Sequence, residues 1–487
     1  YGISLLLGMY IEQELKNLPG YEKYSAELKE IVKINPSLKL LEAFAQASEV
    51  NVKIYQRNFA LAEEMQKNFL NKASSYLGTD TVPYMDGLGQ LAGIYALQNK
   101  NEESWEAIEQ AAEILISKAD EVFGFTSTKD KIHFLSMANV DLYFSIGNRM
   151  SSDPVTRKRI YRRILQTKDN ILRFLLSQNK LKTGKNREQV NRLFNAIESK
   201  KILLAKLEAN LQPGNDISDS RNSITQEVGN LESELSRLAS ESSDYKLENL
   251  TVDATYDSLL NNSSLVDFIK INHNEFRNGK INPKYFAFIL NSEKSNVPHL
   301  VDLGSAKEID QVIGDFRKKI NDINDEAGLK KVGKKLYNLI FKPLEAHIFP
   351  NKLIFISPDS NLYTLPFHAL VTDQGDYLIT KYMFGYLNNG DDLAKTRKRD
   401  RPANYKKIVL FGNPDFETLV EEKPVSVSPN ILFTNITRSA DAENLKFSSL
   451  PETQVEIESI KSIFDSHKPI IFTGVNASES KKRMGVP

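Results

Sequence analysis

The sequence contains no cysteine in 487 residues. Within it, disulfides, thiolate metal sites and a cysteine nucleophile are therefore excluded. Histidine is scarce: His133, His273, His299, His347, His368 and His467. No two have i, i+4 spacing or an HExxH context, so no zinc site is expected, and each is read as a surface or satisfied core residue. Charge of one sign is lacking too, since 63 Lys and Arg balance 63 Asp and Glu. That balance argues against a broad nucleic-acid footprint. No apolar run approaches the ~20 residues needed to span a bilayer. The opening YGISLLLGMY is apolar but has no basic residue before it, a poor secretion signal. It lacks an initiator Met, so the chain is expected to begin inside a longer protein, and a cytoplasmic location is expected. No GxxxxGKS, GxGxxG, GxSxG or EF-hand pattern occurs. The residues thus imply no cofactor and no metal, and no catalytic or binding residue is assigned.

What is present is enough to fold. The chain is 41% hydrophobic and 26% charged, a balance that buries a core and is not that of a disordered chain. At ~150 residues per domain, about three units are expected. The composition divides at 1–150, 151–256, 257–394, a charged linker at 395–404, and 405–487.

Residues 1–150 read as helices in pairs. Leu91, Ala92 and Tyr95 share one helix face, Asn99-Lys100-Asn101 makes a polar turn, and Ser104, Ile108 and Ala111 follow at matching steps. Small residues where helices cross, with Ala107, Ala111 and Ala112 keeping the crossing tight, give the spacing of tetratricopeptide (TPR) repeats; a plain helical bundle is the alternative. Ile31–Pro36 resembles the end of another repeat, with Pro36 stopping its helix. Ala47–Leu70 is helical by composition but fits the repeat poorly. Stacked pairs leave a concave face that binds peptides or proteins, so a protein partner is expected on this arm. Trp105, Tyr84 and Tyr95 could serve that face or pack the interior.

Residues 151–256 differ. The run from Arg157 to Leu165 is expected to begin a long amphipathic helix, with Arg157–Arg163 as a solvated basic face. Leu193, Ile197, Leu204, Leu207 and Leu211 form a stripe, Pro213–Asp216 breaks it, and Val228, Leu231, Leu235 and Leu238 repeat at 3, 4 and 3. A pair of long antiparallel helices is expected. From about Asp257, apolar runs at Phe286–Leu290, Leu300–Leu303, Leu353–Ile356, Ile408–Phe411 and Ile470–Phe472 alternate with helical stretches at Ser305–Ile323, Leu329–Phe341 and Gln454–Phe464. That alternation predicts a partly parallel α/β sheet. Ala394–Pro402 reads as a protease-sensitive linker and Asn413–Lys446 as a surface loop.

The most informative stretch is KLIFISPDSNLYTLPFHAL, Lys352–Leu370. Leu353–Ile356 reads as a strand buried on both faces, ended by the Ser357–Asn361 turn. Leu362–Phe367 is expected to be extended, with Leu365 and Phe367 buried over Leu353 and Phe355, and His368 on the opposite face.

The order of buried strand, Pro-Asp-Ser, then Leu-x-x-Leu-Pro-Phe-x-Ala-Leu resembles the signature of CHAT domains, the caspase-like domains found with TPR repeats in bacteria. Leu265–Phe268 with Tyr285–Leu290, Val301–Gly304 with Ile309-Asp310, and Leu450–Thr453 with Phe472–Glu479 resemble flanking segments of that family in its order. The resemblance runs from about Asp257 to Glu479, and departs at Ser360, where the family usually has Gly. It implies a multidomain chain: TPR-like helical repeats and long antiparallel helices, then an α/β caspase-like domain, with 257–394 its non-catalytic half and 405–487 the start of the protease half. It also implies a His/Cys dyad that would lie beyond Glu479, so the chain is expected to stop short of it and to be inactive. His368 stands at a variable family position and takes no dyad role. Gly474, Ser478 and Glu479 read as a strand end and a helix start.

Two functions follow from the resemblance. One is the regulatory and structural part of a caspase-like cysteine endopeptidase, in bacterial defence or cell death; the other is a non-enzymatic protein-binding scaffold. A nucleic-acid-binding arm is the weakest reading on charge.

Overall fold

The computed structural model describes residues 17–34, 49–168, 186–209, 218–240, 250–277, 279–292, 297–320, 325–348, 353–394, 408–415, 450–465 and 468–477, with isolated positions between them. Two compact units emerge: 1–124 with 128–177 and 243–398, and 125–127 with 178–242 and 399–487.

In the first unit the helices come in sequence-adjacent pairs. They are α1 (Leu18–Ile34), α2 (Phe59–Leu77), α3 (Val82–Leu97), α4 (Asn101–Phe125), α5 (Thr128–Ser136), α6 (Val140–Asn148) and α7 (Pro154–Thr167). Asn58 caps α2 by accepting from the Leu61 N–H, and Pro83 sits in the first turn of α3, where a missing N–H costs nothing. Small residues set the crossings. A Cβ on Gly87 would stand 2.7 Å from the Phe69 ring, and Ser104 Oγ donates to Ala92 O across 2.7 Å. The polar turn at Asn99 falls between α3 and α4 as expected, with Asn99 at φ 59°. Trp105 is an interior residue: it is buried, with its ring 5.1 Å from that of Tyr143.

Helix α7 corrects two expectations. It ends at Thr167, with Lys168 extended at ψ 127°, so it does not begin a long helix. Its basic run is not a solvated face either. Arg163 is buried, donating to Ala112 O and Glu113, and Arg157 donates to the Ser151, Ser152 and Pro298 carbonyls. Guanidinium groups that find several fixed acceptors tolerate burial.

The expected antiparallel pair is α8 (Arg187–Ala209) and α9 (Ser218–Ser240), in the second unit. Val190, Leu193 and Ile197 pack with Leu235 and Leu238 in one seam. Lys201 pairs with Glu232, and Lys200 with Glu227. The Pro213–Asp216 break lies outside the described residues.

After α10 (Val252–Asp257) comes a five-stranded sheet of order β3-β2-β1-β4-β5, built from β1 (Ser263–Glu275), β2 (Lys280–Asn291), β3 (His299–Ser305), β4 (Leu353–Ser357) and β5 (Met383–Tyr386). β1–β2 and β2–β3 are antiparallel; β1–β4 and β4–β5 are parallel. β3 leads into α11 (Ala306–Ile320), then α12 (Glu326–Leu336), a π turn (Tyr337–Phe341) and α13 (Lys342–Glu345). The single helix expected over Leu329–Phe341 widens at its end. There the Lys342 N–H reaches back to Tyr337 O, and Pro343 has no N–H with which to continue the narrower ladder.

Both faces of the sheet are covered, which is why Phe286–Leu290 of β2 reads as a continuous apolar run. Val266, Phe268, Tyr285, Ala287, Ile354 and Ile356 face α11 and the π turn, packed on Ile313, Phe316, Ile340 and Phe341. Phe286 and Phe288 face the arm, with ring centroids 4.6 and 6.2 Å from Phe144 and the Tyr161 ring 5.0 Å from Phe288.

The corner after β4 is not a second extended segment. Ser360–Thr364 and Phe367–Ala369 are 3-10 turns, with only Leu365 and Pro366 between them extended or near-extended. Leu365 and Phe367 are buried as expected, but over Ile354 and Ile356. Leu353 and Phe355 are half-buried on the opposite face, the period-2 alternation being off by one residue. The second unit also holds β6 (Val409–Pro414) and β7 (Ile470–Gly474), parallel to each other, with α14 (Pro451–Ile463) against β6. The expected linker from Lys395 and the loop from Phe416 fall outside the described residues, as do Pro36, Ser478 and Glu479. Among the described residues no helix is long and apolar enough to cross a membrane.

Candidate functional site

Where α7 ends, its last residues meet the middle of β1 and the end of β4. Asp267 of β1 and Ser357 of β4 are register partners in parallel strands, and both point to the arm side. Lys168 Nζ lies 2.7 Å from Asp267 Oδ1, 2.7 Å from Ser357 Oγ, 2.9 Å from Phe268 O and 3.2 Å from Ser357 O. The second carboxylate oxygen accepts from the Tyr161 hydroxyl at 3.0 Å. Burial pushes the Tyr161 phenol well above its ordinary pKa, and the neighbouring Asp267 adds to the shift, so Tyr161 is a neutral donor. Ser357 Oγ donates onward to Asn388 O at 3.1 Å. Asn389 Nδ2 donates to the Leu165 and Lys168 carbonyls at 3.2 and 2.9 Å, satisfying the C-terminal end of α7. Gly390 is required beside them: a Cβ there would collide with the Tyr161 hydroxyl and stand 2.9 Å from Leu265.

Chemically, this cluster fixes positions. Every donor of the ammonium has an acceptor, so the amine is a poor nucleophile or base. What the cluster can do is transmit a displacement of α7 to the middle of β1 and the end of β4, next to Pro358 and Asp359. The Asp359 carboxyl is pushed up by burial, against the pull of Lys168, and Oδ2 accepts the Lys270 N–H at 2.7 Å.

The arm carries a groove of about 680 Å³, within the ~300–1,000 Å³ typical of ligand sites. Gly89 and Gly93 of α3 and Ala111 and Ala112 of α4 line it, and the tip of the β1–β2 hairpin contributes Phe276 and Ile281. α6 holds that hairpin: Asp141 accepts from the Asn272 backbone and side-chain N–H groups at 2.9 Å each, and Ser145 Oγ accepts from the Asn274 N–H at 2.9 Å.

None of these groups was assigned from the sequence. One signal was available: Asp267 is a lone charge inside the apolar run Leu265–Phe268, and a charge in a two-sided buried strand needs a partner. Its partner Lys168 lies 99 residues away, beyond the reach of local patterning. Of the residues weighed in the sequence, Trp105 and Tyr95 are buried and Tyr84 is half-buried, none of them at the groove floor. His368 lies 3.4 Å from the Tyr386 hydroxyl, which also accepts the Phe367 N–H at 3.0 Å, and it forms no catalytic pair among the described residues. Gly474 ends β7 at φ 54°.

No curated protein matches the chain. The matched family begins inside α12, so β1–β3, which the sequence also likened to it, stand outside the match. The stretch from α12 to just past β7, residues 330–483 and including the β4 corner, matches the CHAT domain family.

Proposed function

We propose that this chain is the regulatory and structural part of a caspase-like cysteine endopeptidase of the TPR–CHAT kind. The helical arm receives a protein partner and governs peptide-bond hydrolysis in the CHAT domain. The observation that carries this reading is the Lys168 cluster. The residue following the last arm helix is bonded to Asp267 within β1 and to Ser357 at the end of β4, so a movement of the arm bears on both parallel strands beside the β4 corner. A groove shared by the arm and the β1–β2 hairpin gives a partner a place to act. The chain has no thiol, so a His/Cys dyad would come from residues outside this sequence, where the thiolate attacks a carbonyl and His moves the proton. The absence of cysteine also supports the second reading, a protein-binding scaffold without activity.

The test compares this chain with the product of its complete natural reading frame, each on a fluorogenic peptide library. The first should cleave nothing. The second should cleave, and Lys168→Met should change its rate while unfolding stays cooperative. Silence of the complete product on every peptide would favour the scaffold.

A further inference from the structure

We propose that the arm groove takes an extended segment of a partner protein and reads one basic side chain in it, a lysine or arginine set on Asp86. The inference rests on the reading of the arm as a partner-receiving surface and adds the chemistry of what it receives.

Three observations carry it. The first is the floor. Gly89 and Gly93 are four residues apart on α3, on one helix face, and the space where their Cβ atoms would stand is open. A floor without side chains lets another backbone approach closely. The second is the wall. Ile54, Leu97 and Leu142, all half-buried, offer apolar surface, suited to small or aliphatic residues beside the basic one. The third is charge. Asp86 is the one charged residue lining the groove among the described residues, and no described hydrogen bond or ion pair reaches it. Its surface meets solvent, yet protein atoms crowd the carboxyl and push its pKa up, with no neighbouring cation to oppose the shift. An incoming ammonium or guanidinium relieves that cost. The same carboxylate repels phosphate, which disfavours nucleic acid here.

The experiment selects phage-displayed random 12-mers on the whole chain and measures the selected peptides, fluorescein-labelled, by anisotropy. Five proteins are used: the unaltered chain, Asp86→Asn, Asp86→Lys, Gly93→Trp and Gly89→Trp. Gly93 has open space beside it, so its variant should fold with the groove filled; Gly89→Trp is the second such variant. The selected peptides should share one Lys or Arg flanked by small or apolar residues. They should weaken about tenfold or more on Asp86→Asn, and fail to bind Gly93→Trp. Selection on Asp86→Lys should yield Asp or Glu at that position. Peptides blocked by Gly93→Trp but carrying no shared basic residue would overturn the charge assignment and leave the arm as a partner surface. Peptides indifferent to both tryptophan variants, or no selected peptide, would overturn the groove as a docking site and remove the arm reading's support with it. Self-association of the chain lost on Gly93→Trp would make a second copy the occupant and sink the proposal.

Discussion

Lys168 and Asp267 form a buried ion pair, Nζ to Oδ1 2.7 Å, between the residue that ends an arm helix and the middle of a sheet strand. Their side chains are 6% and 1% exposed, so solvent screens the pair little. Such pairs rarely add net stability over an apolar replacement, but breaking one strands a charge. The pair therefore specifies where α7 sits more than it stabilises the fold.

Removing only the lysine should show this. Lys168→Met should cost about 3–5 kcal/mol in urea unfolding, because Asp267 keeps its burial and loses its cation. Lys168→Met with Asp267→Leu should cost clearly less than the two single changes summed, the sign of direct coupling. Recovery is partial, since the Tyr161 hydroxyl then loses its acceptor. Additive costs would mean the pair is incidental.

Phe367 and His368 separate packing from surface at the β4 corner. Phe367 is fully buried and stacks on Phe268 with ring centroids 5.2 Å apart. Truncation to Ala should cost about 3–5 kcal/mol. His368→Ala should cost about 0.5 kcal/mol or less, because it loses a contact at a half-buried position. Equal losses in thermal unfolding would place His368 in a polar network that supports the corner.

The local pattern of the chain carried the fold further than the site. Continuous apolar runs gave β2, β3 and β4, and the paired stripes gave α8 and α9, because each is set by residues near in sequence; β1, interrupted by Asp267, entered only through the family resemblance. β5 was missed: four residues, MFGY, give too short a run to stand out from loop. The 3-10 turns at Ser360 and Phe367 were missed because Leu365-Pro366 does read as extended, and nothing local says how little of the segment follows it. Two of the Arg163 acceptors lie about 50 residues upstream and Lys168's about 100 or more downstream, so a basic run that reads as a solvated face is tertiary structure.

Ser360 stands at φ 54°, where a side chain is strained, and it is the position at which the sequence departs from the CHAT signature's Gly. Ser360→Gly should be neutral to stabilising by up to about 1 kcal/mol, relief of the left-handed cost outweighing added freedom of the unfolded chain. Ser360→Val should destabilise, because a β-branched residue is worst suited to this region. Chemical denaturation of the two variants side by side decides it; a destabilised glycine variant would mean the serine hydroxyl, not the backbone, matters here.

Gly390 tests the fit of the cluster from its other side. Gly390→Ala puts a methyl against the Tyr161 hydroxyl and Leu265, so α7 must shift or the loop must open. A loss of about 1–3 kcal/mol is expected. Combining Gly390→Ala with Tyr161→Phe should recover part of it. No recovery would place the clash on Leu265 instead.

Glu63 gives the arm a dependence on acid. Burial tends to raise its carboxyl pKa, but Lys100 at 2.6 Å, Lys67 at 2.6 Å and Gln98 at 2.8 Å outweigh it and bring the value from the ordinary 4.5 down to about 2. A carboxylate depressed in the folded state stabilises it above the unfolded pKa, and the contribution fades as pH falls through the folded one. The link from α2 to the turn after α3 should therefore be complete above pH 4.5 and weaken from there to about pH 2. Other depressed carboxyls, such as Asp310 and Glu345, add to the acid limb of the whole chain, so the informative quantity is a difference. Glu63→Gln removes the charge and keeps the shape. Its stability relative to the unaltered chain should be lower at neutral pH, and the gap should close between pH 4.5 and 2, measured by urea unfolding at each pH. A gap that stays constant across that window would mean Glu63 acts through packing and hydrogen bonds alone, and its charge would have no part in joining α2 to its neighbours.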